Sequence, residues 1–338
     1  MAITEDSGEP IDGPGEHGER GAVVEPKTHF TEHSVTIAAP AEVVYDLLAD
    51  VTGWPSLFGP TVHAQRVSGG ALQEQIRLWA LANGEVRSWT SRRELDRDGL
   101  RIAFRQEVSQ PPVASMGGEW RITPGAGGTC TVVLAHDFAA VGDDPDGLDW
   151  IEKAVERNSR AELAALQSGA ESREQKPELV FTFDDSVTID GPAEEVYAFI
   201  ARCDLWPERL PHVSRLALTE AAPGLQVISM DTRAPDGTVH TTESVRVCFK
   251  ADRIVYKQTR VPALLTAHTG EWFFQPTAEG ARATSRHTVA INPGAVTELL
   301  GEQASTADAR AYVRNALGSN SLATLRLAKA HVEGGGHA

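Results

Sequence analysis

The sequence predicts an α+β protein built as one domain written twice. Three observations predict it. Residues 34–45 read Ser-Val-Thr-Ile-Ala-Ala-Pro-Ala-Glu-Val-Val-Tyr, and residues 186–197 read Ser-Val-Thr-Ile-Asp-Gly-Pro-Ala-Glu-Glu-Val-Tyr. The offset of 152 between them recurs from Trp54-Pro55 to Trp206-Pro207 and from Glu119-Trp120 to Glu271-Trp272. So long a period exceeds any solenoid repeat, which makes each copy a whole domain. Each copy also shows the same alternation of strand, short helices, strands and long helix, the pattern of an α+β unit.

Each copy opens on a strand, at about 29–37 and 179–189. Pro40 and Pro192 suit the first turn of the helix that follows, where a missing N–H costs nothing. Two short helices come next, the second carrying Trp-Pro. Six more strands follow, with turn signals at 82–84 (Ala-Asn-Gly), Asp98-Gly99 and Asp236-Gly237. A long helix closes each copy, at about 147–167 and 302–332. In the first, Leu148, Ile151, Val155, Leu163 and Leu166 fall near one face. A curved seven-stranded antiparallel sheet gripping one long helix encloses an internal pocket. The expected boundaries are an acidic, Gly-rich disordered extension at 1–27, domains at 28–169 and 178–333, and a polar linker at 170–177.

The 338 residues carry a formal net charge of −16. That charge repels phosphate backbones and anionic lipid, so neither nucleic acid nor membrane is an expected partner. No apolar run approaches the roughly 20 residues of a membrane span. The N-terminus lacks the layout of a signal peptide, and a cytoplasmic location is expected. Cys130, Cys203 and Cys248 are too far apart for a zinc site or a disulfide framework. His29 and His33 share a strand face without a third ligand at metal spacing. No phosphate loop or nucleophile elbow is present. Neither a metal nor a cofactor is expected.

Strand alternation assigns the inward faces. Trp89, Ser91, Arg93 and Leu95 share a face in the fourth strand, as do Thr242, Ser244, Arg246 and Cys248 in its counterpart. A guanidinium on an apolar face needs a carboxylate, a ligand oxyanion or access to water at the pocket mouth. The sixth strands place Met116, Gly118, Trp120 and Ile122 together, and His268, Gly270, Trp272 and Phe274. Such residues are plain core or stacking walls for a flat ligand. The seventh strands place His136 and His287 among apolar neighbours, in register if one residue is gained in the turn at 125–128. Each is a core histidine or a proton shuttle. Arg92, Arg97, Arg101 and Arg105 read as a solvated outer face or a basic patch for an acidic carrier protein.

The order of elements, the Ala-Pro-Ala-Glu-Val-Val-Tyr start and the Trp-Pro helix resemble the helix-grip (START/Bet v 1-like) polyketide aromatase/cyclases of bacterial type II polyketide synthases. The tandem arrangement is similar to their di-domain class, over about 29–333. The resemblance implies aldol cyclisation and dehydrative aromatisation of the first ring of a poly-β-ketone. Its implied partners are an acyl carrier protein and other synthase subunits.

The same resemblance implies catalytic roles for Ser91, Arg93 and His136, and for Ser244, Arg246 and His287. It implies a substrate wall of Trp54, Phe58, Trp89, Met116 and Trp120, and of Trp206, His268 and Trp272. The family's tyrosine after the Trp-Pro helix is replaced by Thr61 and Val213. Two other readings accommodate the same pattern: a non-catalytic START-like carrier of a lipid or aromatic metabolite, and a tandem module acting through its surface.

Overall fold

A computed structural model describes residues 26–335 apart from 83–84, 176, 234–236 and 238. The first copy comprises β1 (His29–Ile37), α1 (Ala41–Ala49), α2 (Trp54–Leu57), β2 (Thr61–Gly69), β3 (Gln73–Ala82), β4 (Glu85–Asp96), β5 (Arg101–Gln106), β6 (Val113–Pro124), β7 (Cys130–Ala140) and α3 (Pro145–Gln175). The second comprises β8 (Val180–Ile189), α4 (Ala193–Ala201), α5 (Trp206–Arg209), β9 (Val213–Ala222), β10 (Leu225–Arg233), β11 (Val239–Phe249), β12 (Arg253–Arg260), β13 (Leu265–Thr277), β14 (Gly280–Ile291), α6 (Val296–Leu300) and α7 (Thr306–Glu333). Each copy forms one antiparallel sheet, in the orders β1-β7-β6-β5-β4-β3-β2 and β8-β14-β13-β12-β11-β10-β9.

Helical spacing of apolar residues seats the helices. Ala41, Val44, Tyr45 and Leu48 bury one face of α1, with Pro40 just ahead of it as N-cap. Along α3, Ile151, Val155, Ser159, Leu163, Leu166 and Ala170 form a buried stripe. That stripe corrects one boundary. The run expected as a linker at 170–177 is mostly the last turns of α3, which reaches Gln175, and a 3-10 turn follows at Pro177–Leu179. Ala170 is fully buried, so packing carries the helix past the change in composition. The second copy adds α6 ahead of its long helix, where the sequence indicates a single helix from about 302. Residues 1–25, and all or part of the turns at 82–84 and 236–237, lie outside the described residues. No helix among the described residues is long and apolar enough to cross a membrane.

The copies meet through the outer face of the second sheet. Val62 and Trp79 of the first copy pack with Val245, Val247 and Val255 of the second. His63 and Trp79 surround Phe249, at ring separations of 5.6 and 5.4 Å. Arg253 donates to Gln65 Oε1 at 2.8 Å. Lys257, 7% exposed, donates to the carbonyls of Phe58 (2.7 Å) and Thr61 (3.1 Å), the segment linking α2 to β2. Burial lowers this ammonium to about 8.

Candidate active site

One inward-facing row crosses six strands in each copy. In the first, cross-strand partners run Glu74, Arg93, Phe104, Gly118, His136, Thr31. In the second they run Gln226, Arg246, Tyr256, Gly270, His287, Phe183. The pairing aligns His136 with His287 through the one-residue gain that the sequence suggested. It also shows what the repeat conserves, Arg-x-Gly-His, and what it changes on either side.

Arg93 is 1% exposed. Its Nη1 and Nη2 donate to the carbonyls of Leu48 (3.0 Å) and Ala49 (2.9 Å), in the last turn of α1. Its Nε lies 3.1 Å from Glu74 Oε1, and Trp54 stacks on the guanidinium at 5.3 Å. A cation at a helix C-terminus also meets the negative end of the helix dipole. Burial pulls Arg93 down to about 10, against the raising effect of Glu74. Of the three fates open to this arginine from sequence, internal pairing is the one observed. Its donors tie α1 to the sheet and leave it little capacity as an oxyanion anchor. Ser91, buried on the same face, makes no side-chain hydrogen bond to Arg93 among the described residues.

Farther along the row, His136 Nδ1 lies 3.4 Å from Ser159 Oγ on α3, and the Phe104 ring stands edge-on at 5.5 Å. Burial holds His136 down to about 4, so the imidazole is neutral. One turn beyond Ser159, Glu162 lies among the apolar residues of the α3 stripe. It is ringed by protein yet retains some accessible surface. Burial pushes its carboxyl up to about 7. Trp54, Trp89 and Met116 are half-buried. Phe58 and Trp120, expected as substrate wall, are 3% and 5% exposed and stack on one another in the cluster that joins α1 and α3 to the sheet.

The second copy differs at two decisive positions. Gln226 replaces Glu74, and its Nε2 donates to Ala201 O at 3.2 Å. That carbonyl is the counterpart of the one Arg93 Nη2 serves. Arg246 Nη2 donates to Ile200 O at 2.7 Å, its guanidinium also meets the Cys203 thiol, and its Nη1 has no hydrogen-bond partner among the described residues. Trp206 stacks on it at 5.0 Å. Ser244 is half-buried on the same face.

Tyr256 replaces Phe104, and its ring lies across Gly270. A Cβ on Gly270 would stand 2.3 Å from the phenol oxygen. The Tyr256 hydroxyl is 2.9 Å from His287 Nδ1 and 3.5 Å from His268 Nε2. His268 Nε2 is 3.0 Å from His287 Nδ1, and Ser285 Oγ is 3.1 Å from His287 Nε2. Burial lowers His268 to about 3 and His287 to about 4, so the hydrogen-bonded chain is neutral. Trp272, expected as a substrate wall, is 7% exposed and shares a cluster with Phe274 and Ala283.

Among the residues weighed as metal ligands or docking patches, His33 pairs with Glu156 at 2.5 Å and His29 stacks on Phe138. A groove of about 530 Å³ on the outer face of the first sheet is lined by Arg92, Arg101, Arg105 and Arg121. Three of these are paired, with Glu119, Asp137 and Glu32. The face is a lattice of opposite charges, not a bare basic patch.

Three positions escaped the reading of the sequence. Glu162 carried a signal, a carboxylate inside an apolar helical stripe. Tyr256, opposed to Arg246, and the exchange of Glu74 for Gln226 emerge only from strand register.

Two helix-grip domains in tandem, each with titratable groups on its inner wall, define a START-like di-domain protein. The family model for polyketide cyclase/dehydrase and lipid transport matches residues 28–171 and again 180–326. The chain belongs to the polyketide cyclase/dehydrase family.

It is 48% identical over 302 residues to the granaticin polyketide synthase bifunctional cyclase/dehydratase of Streptomyces violaceoruber, covering 89% of this chain and 93% of that protein. It is 48% identical over 315 residues to the actinorhodin counterpart of Streptomyces coelicolor, covering 90% and 97%. Among solved structures it is similar to the di-domain ARO/CYC BexL from the BE-7585A biosynthetic pathway. That match has a TM-score of 0.84 and 54% identity, covering 90% of this chain and 99% of that one. The di-domain ARO/CYC StfQ from the steffimycin pathway matches at a TM-score of 0.80 and 37% identity, covering 90% and 98%. The chain is an enzyme of this aromatase/cyclase kind.

Proposed function

We propose that the first copy closes the first ring of a linear poly-β-ketone presented on an acyl carrier protein, within a type II polyketide synthase. The observation that supports this reading is Glu162, a carboxyl raised to about 7 by burial beside Ser159, Leu163 and Leu166 of α3. Methylenes between two ketones are acidic enough for such a base, and a group titrating near working pH serves as both base and acid. Glu162 takes the methylene proton. Neutral His136, steadied by Ser159, donates to the ketone oxygen as the aldol bond forms. Trp54, Trp89 and Met116 hold the chain so that one methylene meets one distant ketone, which supplies orientation rather than chemical force. Arg93 acts through α1, as a positioning residue, while Ser91 lines the wall beside it.

The test incubates wild type and Glu162→Gln with the minimal synthase and resolves the products by liquid chromatography and mass spectrometry. The expected result is loss of the regiospecific ring product and a rise in spontaneously cyclised shunt products. An unchanged product profile in a folded Glu162→Gln enzyme overturns the reading.

A further inference from the structure

The short helix α2 of the first copy is held in part from outside that copy. It is a single turn, Trp54–Leu57, too short to keep its place unaided. On one side Leu57 packs on α3, where a Cβ added to Gly169 would stand 2.3 Å from its Cδ1. On the other side lies the second copy. Ser56 Oγ is 3.5 Å from Thr269 Oγ1 of β13, and Lys257 of β12 donates to the carbonyls of Phe58 and Thr61 at 2.7 and 3.1 Å. The Phe58 carbonyl also accepts the Thr61 N–H at 3.1 Å, so the ammonium clasps the turn that leaves α2. From Phe58 the contacts run inward. Its N–H donates to Trp54 O at 2.7 Å, its ring meets Trp54 edge-on at 5.4 Å, and Trp54 stacks on Arg93. Packing alone does not call for this ammonium. Lys257 is 7% exposed, and no carboxylate pairs with it among the described residues. A buried cation without a counter-charge is costly, and an apolar side chain would fill the same place without that cost. Nor does the repeat require it. The matching position in the first copy is Arg105, which stays at the surface and pairs with Asp137.

We infer that Lys257 is a positioning residue for the site of the other copy. Through the Phe58 and Thr61 carbonyls it sets where Trp54 stands, and so which methylene of the bound chain meets which ketone. The inference rests on the cyclase reading above, and it gives the second copy a part in the ring choice of the first. Lys257 touches no reacting atom, and no bond is made or broken at it. A shift of about 1 Å in a group that orients two reacting carbons costs on the order of 100-fold in rate. Spontaneous ring closures need no such group and are not slowed. Loss of the ammonium therefore shows in the choice of ring. Arg253, on the same strand, also reaches the first copy, but its partner is Gln65 Oε1 on β2, beyond the turn that leaves α2. The two cations thus cross one interface, and only Lys257 acts on the α2 segment.

The decisive comparison is Lys257→Met against Arg253→Met in the full-length enzyme. Each is incubated with the minimal synthase, below its own unfolding temperature. The readout is the ratio of regiospecific ring product to spontaneously cyclised shunt products, resolved by liquid chromatography and mass spectrometry. Lys257→Met is expected to lower that ratio by about 10-fold, part of the cost of a misplaced orienting group. Arg253→Met is expected to leave it near the wild-type value. An unchanged ratio in Lys257→Met overturns the inference. So does an equal fall in both variants, which would assign the effect to the interface as a whole. Should Lys257→Met fail to fold, Lys257→Gln takes its place with the same two outcomes, since its shorter, neutral amide cannot span both carbonyls. Glu162→Gln, run in parallel, keeps the inference apart from the reading beneath it. A changed profile in Glu162→Gln beside an unchanged one in Lys257→Met overturns the positioning role alone. If wild type itself leaves the shunt profile of the synthase unaltered, the cyclase reading fails and the positioning role falls with it.

Discussion

Glu74 Oε1 stands 3.1 Å from Arg93 Nε, whereas the equivalent neighbour of Arg246 is the uncharged Gln226. The two arginines thus occupy one position in two electrostatic settings. Removing one partner of a buried pair strands the other charge, which costs about 3–5 kcal/mol. Glu74→Ala is expected to destabilise the first domain by that order in chemical denaturation. Gln226→Ala removes the hydrogen bonds to Ala201 O and Glu220 Oε2 but strands no ion-pair partner, and is expected to cost less, about 1–2 kcal/mol. Equal losses in the two variants would contradict the assignment of Arg93 as an ion-paired strut.

Glu162 links the proposed chemistry to stability. Burial raises its carboxyl from the ordinary value of 4.5 to about 7. Between those values the folded protein binds more protons than the unfolded chain, so this residue makes stability fall as pH rises from about 4.5 to about 7. Glu162→Gln removes the charging step. The variant is expected to be more stable than wild type at pH 8, by on the order of 2 kcal/mol, and indistinguishable at pH 4.5. Ring closure by wild type should rise with pH through about 7, and the limb should vanish in Glu162→Gln. Thermal melts across pH and initial rates with the minimal synthase check the two halves separately.

Much of this was legible in the sequence because the repeat supplies two readings of every strand. Alternation placed Ser91, Arg93 and Leu95 on the inner face, and all three are buried there. It could not say whether Arg93 faces a ligand or a carboxylate, because Glu74 lies on another strand and only register brings the two together. The same limit hid Tyr256 from Arg246. Trp120 and Trp272 face inward as alternation expects and join the core clusters, and alternation alone cannot separate a core ring from a wall ring, because both share the inner face. The linker was misplaced because composition changes before packing does, at Ala170.

Lys257 gives the interface between copies its own pH dependence. Its ammonium is buried with backbone carbonyls as its partners, and burial lowers it from the ordinary value of 10.5 to about 8. Across that window the unfolded chain binds the extra proton, so the residue makes stability rise as pH rises from about 8 to about 10.5. Lys257→Met keeps the length and removes the charge. Its unfolding temperature, relative to wild type, is expected to be higher at pH 7.5 than at pH 10. A difference that does not vary with pH would show that the ammonium is not desolvated at this interface.

Gly270 tests whether the phenol must lie where it does. An added Cβ would come within 2.3 Å of both Tyr256 Cζ and its hydroxyl, and within 2.6 Å of the Arg286 carbonyl oxygen. The carbonyl belongs to the neighbouring strand and cannot swing aside, so the ring must move. Gly118 stands at the same point of the first row, where the clash would be with Ala135 O at 2.1 Å and Phe104 Cζ at 2.8 Å. Both alanine variants are therefore expected to lose stability by about 1–3 kcal/mol, the range for overpacking. Gly270→Ala also displaces the Tyr256 hydroxyl from His287 Nδ1, a hydrogen bond that the Phe104 ring beside Gly118 does not make, so it should cost about 1 kcal/mol more. Chemical denaturation of the two variants checks this, and equal losses would contradict a contribution from the Tyr256–His287 hydrogen bond.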